Sequence, residues 1–209
     1  MNENTPPRST LKQVRLLLWI VVLLAIAGTA ALLLVQRVTV HPPEASTAPA
    51  QSRFGGPFTL VDGNGKAFSS AKLQGKPYAM YFGFTRCGDV CPTTLSRMVR
   101  LRKEVGGPDA IRILFVTIDP QHDGPKEVGQ YATLFNSPII GLTGSPAQIA
   151  QVKKQYGIYA EPSPHPMAGK EMMHSAFVLL FDRNGQFVTT ISPDEPDSAA
   201  LAKLKQTVG

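Results

Sequence analysis

Residues 82–95 read FGFTRCGDVCPTTL. They continue the run 78–84, YAMYFGF, whose unbroken apolar and aromatic character fits a strand covered on both faces. A helix is predicted over 92–105, because Leu95, Met98, Leu101 and Val105 recur at helical spacing while Arg97, Arg100 and Lys103 point away. Gly106, Gly107 and Pro108 stop it. Pro92 has no backbone donor and disfavours helical geometry in the residue before it, so Cys91 is read as the N-cap and Pro92 as the first helical position. Cys87 and Cys91 thus stand between a buried strand and a helix start. Unpaired N–H groups and the positive end of the helix dipole would stabilise a sulfur anion at Cys91, and Arg86 adds a nearby positive charge.

Upstream of that strand, 58–69 (FTLVDGNGKAFS) reads as a hairpin around the Asp62-Gly63-Asn64-Gly65 turn. Downstream come a buried strand over 111–118 (IRILFVTI), a helix over 126–135 and a short strand over 139–142. Ser145 is a plausible N-cap, with Pro146 in the first turn, for a helix running to Tyr156. The Pro-rich stretch 161–173 (EPSPHPMAGKEMM) is read as a loop before a strand at 175–181 (SAFVLLF). That strand turns through Asp182, Arg183, Asn184 and Gly185 into 186–191 (QFVTTI), and a helix closes the chain over 197–208. Strands alternating with helices, then an antiparallel hairpin and a last helix, describe an α/β sandwich of the thioredoxin kind.

The 209 residues suit one ordinary domain with something to spare. A hydrophobic share of 43% against 17% charged excludes a disordered or fibrous chain, and 18 Gly with 18 Pro predict long loops and a tether. The net charge of +6 is spread along the chain without an aromatic-rich basic patch, so no nucleic acid is expected as a partner. Residues 16–35, LLLWIVVLLAIAGTAALLLV, carry no charge and would span about 30 Å as a helix, the thickness of a bilayer core. Arg8, Lys12 and Arg15 precede this segment, which places 1–15 in the cytoplasm and the bulk of the chain across the membrane. Ala25-Ile26-Ala27 mimics a signal-peptide cleavage site, but apolar residues continue past it, so an uncut anchor is the preferred reading. Glu3 and the lack of an Arg/Ser-rich leader argue against an organelle transit peptide, which leaves a bacterial inner membrane with the C-terminal domain in the periplasm. Residues 36–57, rich in Pro, Ala and Ser, are read as a tether, and 58–209 as the folded domain. His41, within the tether, is read as incidental.

Three readings compete for Cys87 and Cys91, the only two cysteines. A structural disulfide would close so short a ring that little chain entropy is gained. A redox motif is the second reading, although the pair has three intervening residues, not two, and no Trp precedes it. A metal site needs a further ligand: two thiolates suit a linear Cu(I) ion, and an added imidazole could also hold Cu(II). His174, just before the strand at 175–181, reaches the cysteine loop only if the preceding loop folds back; His165 and His122 lie in polar loops. Met167, Met172 and Met173 are read as filler. Asp119 ends a buried strand before Pro120 and is either a turn acid or a group facing the cysteine loop.

FGFTRCGDVCPTTL, LFVTIDPQHDGP, IIGLTGSPAQIAQVKKQYGIY and MMHSAFVLLFDRNGQF, in that order behind one membrane anchor, resemble the Sco/SenC family of copper-binding assembly factors for cytochrome c oxidase. The resemblance covers about residues 54–188. It implies a thioredoxin-like fold and one copper ion, Cu(I) or Cu(II), held by Cys87, Cys91 and His174, with Asp119 as an outer-shell or docking group. It also implies delivery to the dinuclear copper centre of oxidase subunit II, or reduction of that centre's cysteines, with another periplasmic copper carrier or thiol reductant as a further partner. Closure of a Cys87–Cys91 disulfide would remove both thiolate ligands and couple redox state to copper loading. One departure stands out: the family usually has Pro after the first cysteine, and this chain has Gly88. The competing class is a thiol-disulfide oxidoreductase or peroxidase-like enzyme, which needs the cysteines but not His174. A structural zinc site is weaker, since it would want four ligands.

Overall fold

The computed structural model describes residues 8–39, 54–165, 167 and 172–209. The chain divides into two compact units, Met1–Gln51 and Ser52–Gly209. In the first, helix α1 spans Arg8–Thr39, and its stretch Gln13–Ala30 is long and apolar enough to cross a membrane. Of the expected tether, residues 36–39 lie within α1, 40–53 (including His41) lie outside the described residues, and 54–57 belong to the second unit. There Phe54 packs on Phe187, with ring centroids 4.5 Å apart, because an aromatic ring beside an apolar sheet end gains more from contact than from water.

The second unit is built on a seven-stranded mixed sheet in the order β2-β1-β5-β4-β3-β8-β9. Its central strands are β3 (Tyr78–Gly83), β4 (Arg112–Thr117) and β5 (Ile140–Thr143), which run parallel. β3 is buried at every position, as its unbroken apolar run requires. The hairpin β1 (Thr59–Asp62) and β2 (Ala67–Ser69) adds antiparallel to β5, and β8 (Val178–Phe181) with β9 (Phe187–Ile191) adds antiparallel to β3. Helices α2 (Val90–Glu104), α3 (Pro125–Thr133), α4 (Pro146–Gln155) and α5 (Asp197–Val208) complete the thioredoxin-like architecture. α4 starts on the predicted cap: Ser145 accepts from Gln148 N–H while the Gln148 side chain accepts from the Ser145 N–H.

Two segments differ from the reading of the sequence, and both shape the site. α2 begins at Val90, with Asp89 as its N-cap, so Cys91 and Pro92 lie inside the first turn. Proline is tolerated there because no N–H of the first turn has a partner within the helix. The stretch 161–173 is not loop throughout: β6 (Ala160–Pro162) pairs antiparallel with β7 (Met172–His174) in a separate two-stranded ribbon, and the next strand starts only at Val178. Three-residue strands are too short to show a period of two.

Candidate metal centre

The β3–α2 connection carries both cysteines, and the ribbon carries His174. Ala160 pairs with His174 in the ribbon, and Ser175 N–H donates to Tyr159 O at 3.0 Å while Tyr159 N–H donates to Ser175 Oγ at 3.2 Å. These bonds hold the imidazole against the start of α2: Cys91 Sγ lies 3.6 Å from His174 Nε2. The donor atoms of Cys87, Cys91 and His174 all fall within 4.8 Å of one another. His174 Nδ1 is 2.9 Å from Ser175 O. A carbonyl only accepts, so Nδ1 carries the proton and Nε2 turns its lone pair toward the sulfurs, the arrangement expected of a metal-ligating histidine. Phe84 packs edge-on to the His174 ring at 6.0 Å and helps fix its plane.

Both cysteines are buried and free. The Cys91 N–H, one of the unpaired donors of the first turn of α2, points at Cys87 Sγ from 3.4 Å. The sulfur anion at the helix start is therefore on Cys87, not on Cys91 as the sequence suggested. Its thiol is held down to about 4, chiefly by the hydrogen bond from the Cys91 side chain; burial opposes this, and the N–H groups of Asp89 and Cys91 reinforce it. The Cys91 thiol is pushed far above its ordinary value by the same hydrogen bond and by burial. The pair is one thiolate and one thiol sharing a proton, and a soft cation competes for that shared position.

The space for Cys91 is made by Gly83. A Cβ built there would stand 2.9 Å from Cys91 Sγ and 3.1 Å from both Phe115 Cε2 and Tyr81 Cε1. A glycine inside a strand is the sequence signal for such a close approach. Gly88 is not among the glycines with a left-handed φ, so its backbone does not demand glycine.

The loop before Cys87 is tied to the end of β4 by two acids. Asp123, fully buried, accepts from Thr85 N–H at 2.9 Å, Thr85 Oγ1 at 2.5 Å and Thr117 Oγ1 at 2.7 Å. Asp119 accepts from Arg86 at 2.7 Å and from His122 Nδ1 at 2.9 Å. Burial raises the Asp119 carboxyl, but His122 and Arg86 outweigh it and hold it below the usual range. Asp119 thus contacts the residue next to Cys87 and is not one of the three converging donors. His122 engages Asp119, and His165 is exposed; neither joins that group. Tyr81, Gly83, Thr85, Asp123 and Ser175 are the residues that motif reading passed over.

The SCO1/SenC family model matches residues 46–209. This chain belongs to the SCO1/SenC family. The mitochondrial SCO2 protein of Saccharomyces cerevisiae is 34% identical over 216 residues, an alignment covering 100% of this SCO1/SenC chain and 72% of the yeast protein. Among solved structures, Bradyrhizobium japonicum ScoI with copper bound is 37% identical, with a TM-score of 0.65 over 74% of this chain and 99% of that one. Yeast Sco1 with copper bound is 31% identical, with a TM-score of 0.65 over 74% and 88% of the two chains.

Proposed function

We propose that this SCO1/SenC chain is a membrane-anchored copper metallochaperone whose cargo ion is held by Cys87, Cys91 and His174. The observation that carries this reading is the convergence of two sulfurs and one imidazole nitrogen within 4.8 Å, from segments 83 residues apart in sequence. Two thiolates and a neutral imidazole suit Cu(I), and the imidazole also accommodates Cu(II). The copper-bound structures of relatives from Bradyrhizobium japonicum and yeast support the choice of metal. With few ligands near a loop, the ion can leave by stepwise exchange with an acceptor's ligands. Loading displaces the proton shared by the sulfurs, so uptake is coupled to pH and to thiol oxidation. The acceptor is the dinuclear copper centre of cytochrome c oxidase subunit II, as the family resemblance implies. α1 anchors the chain in a bacterial inner membrane, with residues 1–15 in the cytoplasm and the copper-binding domain in the periplasm, so that donor and acceptor share one surface. Asp119, fixed to Arg86, orients the loop that bears Cys87 and presents a polar edge to the acceptor.

A second reading has its own observation. The thiolate at Cys87 beside a protonated Cys91 is a reactive dithiol, suited to reducing an acceptor's disulfide. Anaerobic copper titration of the reduced full chain in detergent separates the two. Wild type should take up one equivalent with intense sulfur-to-Cu(II) charge-transfer bands, and His174→Ala should weaken binding at least about tenfold and alter the bands. Retention of full Cu(II) affinity by His174→Ala, with metal-free dithiol turnover intact, would leave only the redox reading.

A further inference from the structure

Beside the cysteines lies a buried polar group. Tyr81 is 0% exposed, and its hydroxyl is sealed from solvent with no hydrogen-bond partner among the described residues. Buried hydroxyls are normally paired, and one left alone costs stability that a phenylalanine would not. Tyr81 and Gly83 lie two apart on β3 and so face the same side. The small space above Gly83 is bounded by Tyr81 Cε1 and by Cys91 Sγ, and the Tyr81 ring packs edge-on to His174 at 6.3 Å. A phenol hydroxyl is a proton donor, and the Cys91 sulfur is a polar atom bounding this space on the same side of β3. A thiol sulfur is only a weak hydrogen-bond acceptor. A metal-bound thiolate is a strong one.

We infer that Tyr81 is a positioning residue for the cargo ion: its hydroxyl is the hydrogen-bond donor kept for the Cys91 sulfur when that sulfur holds copper. This rests on the three-ligand reading above. Such a bond to a ligating sulfur restrains its direction and lowers its electron donation, which tunes affinity and oxidation-state preference. Tyr131 supplies the internal comparison. Its hydroxyl is equally sealed and has no partner among the described residues, but its ring packs on Phe115 and Phe135 and not on His174.

The experiment compares the full chain in detergent with Tyr81→Phe and Tyr131→Phe, metal-free and copper-loaded. In the metal-free state both variants should melt at or above wild type, because each loses an unpaired buried hydroxyl. With copper, Tyr81→Phe should bind Cu(I) about tenfold more weakly in competition with a chromophoric chelator. It should also show a smaller copper-induced rise in melting temperature and a sulfur-to-Cu(II) band at lower energy. Tyr131→Phe should keep wild-type affinity and band position. If Tyr81→Phe matches Tyr131→Phe in affinity and spectrum while wild type shows the band, the inference fails and the three-ligand reading stands. If Tyr81→Phe lowers metal-free and loaded stability alike, its role is structural and the inference fails. Wild type without any sulfur-to-copper band would end both.

Discussion

At the scale of single residues, the site depends on a side chain that is absent. Gly83 leaves room for a sulfur that is itself fully buried in the first turn of α2. Its φ is unremarkable, so glycine is needed for space and not for conformation. Gly83→Ala should therefore push Cys91 Sγ, Phe115 or Tyr81 aside, because a contact of 2.9 Å with sulfur cannot persist. Overpacking of this kind costs about 1–3 kcal/mol. We expect a loss in that range by urea denaturation of the metal-free protein, together with weaker copper uptake; a variant as stable as wild type with unchanged uptake would refute the account. The grouping of the two cysteines with His174 was legible in the sequence because their types and order carry a family pattern. Gly83 and Tyr81 were not, because in a wholly apolar run every residue reads as core, and only the packed structure shows which face meets the sulfurs.

Among the elements, the ribbon β6–β7 brings a histidine from far along the chain to the two sulfurs. Sequence pattern showed the buried strands, the Ser145 cap and the last helix, since each extends long enough for a period or a cap to register. The ribbon escaped because it is built from two three-residue strands inside a Pro-rich stretch. The start of α2 was misplaced for a related reason: proline marks the first turn of a helix without saying which of its residues it occupies. Ser175 latches the ribbon, its N–H donating to Tyr159 O and its Oγ accepting from Tyr159 N–H, and its own carbonyl accepts from His174 Nδ1. Ser175→Pro removes the first two bonds and restrains the backbone of His174 itself. The main sheet, which does not contain β7, should keep its cooperative unfolding. Copper titration of Ser175→Pro should then resemble that of His174→Ala; a wild-type titration would show that the imidazole reaches the sulfurs without this latch.

For the molecule as a whole, the asymmetric pair links folding to pH through two opposed shifts. In the folded state Cys87 is held down to about 4 from an ordinary 9.0, so between those values the unfolded chain binds more protons than the folded one. Stability contributed by Cys87 is therefore fully present above 9.0 and lost as pH falls through about 4. Cys91 is shifted the other way, so its contribution is present below the ordinary thiol value and drains away above 9.0, where only the unfolded chain releases that proton. Together they predict that the reduced, metal-free protein gains stability as pH rises from about 4, with a maximum near 9.0. The slope has a ceiling of about 1.4 kcal/mol per pH unit, set by one proton. Asp119, held low by His122 and Arg86 against burial, extends the loss to more acid pH, below its ordinary 3.8. Chemical denaturation across this range under reducing, chelating conditions measures the curve. Cys87→Ser should flatten the rise between pH 4 and 9 while leaving the acid limb that belongs to Asp119. A slope that survives Cys87→Ser would place the proton linkage elsewhere in the fold and remove the thiolate at the start of α2 from the account of how the site is kept ready for a soft metal.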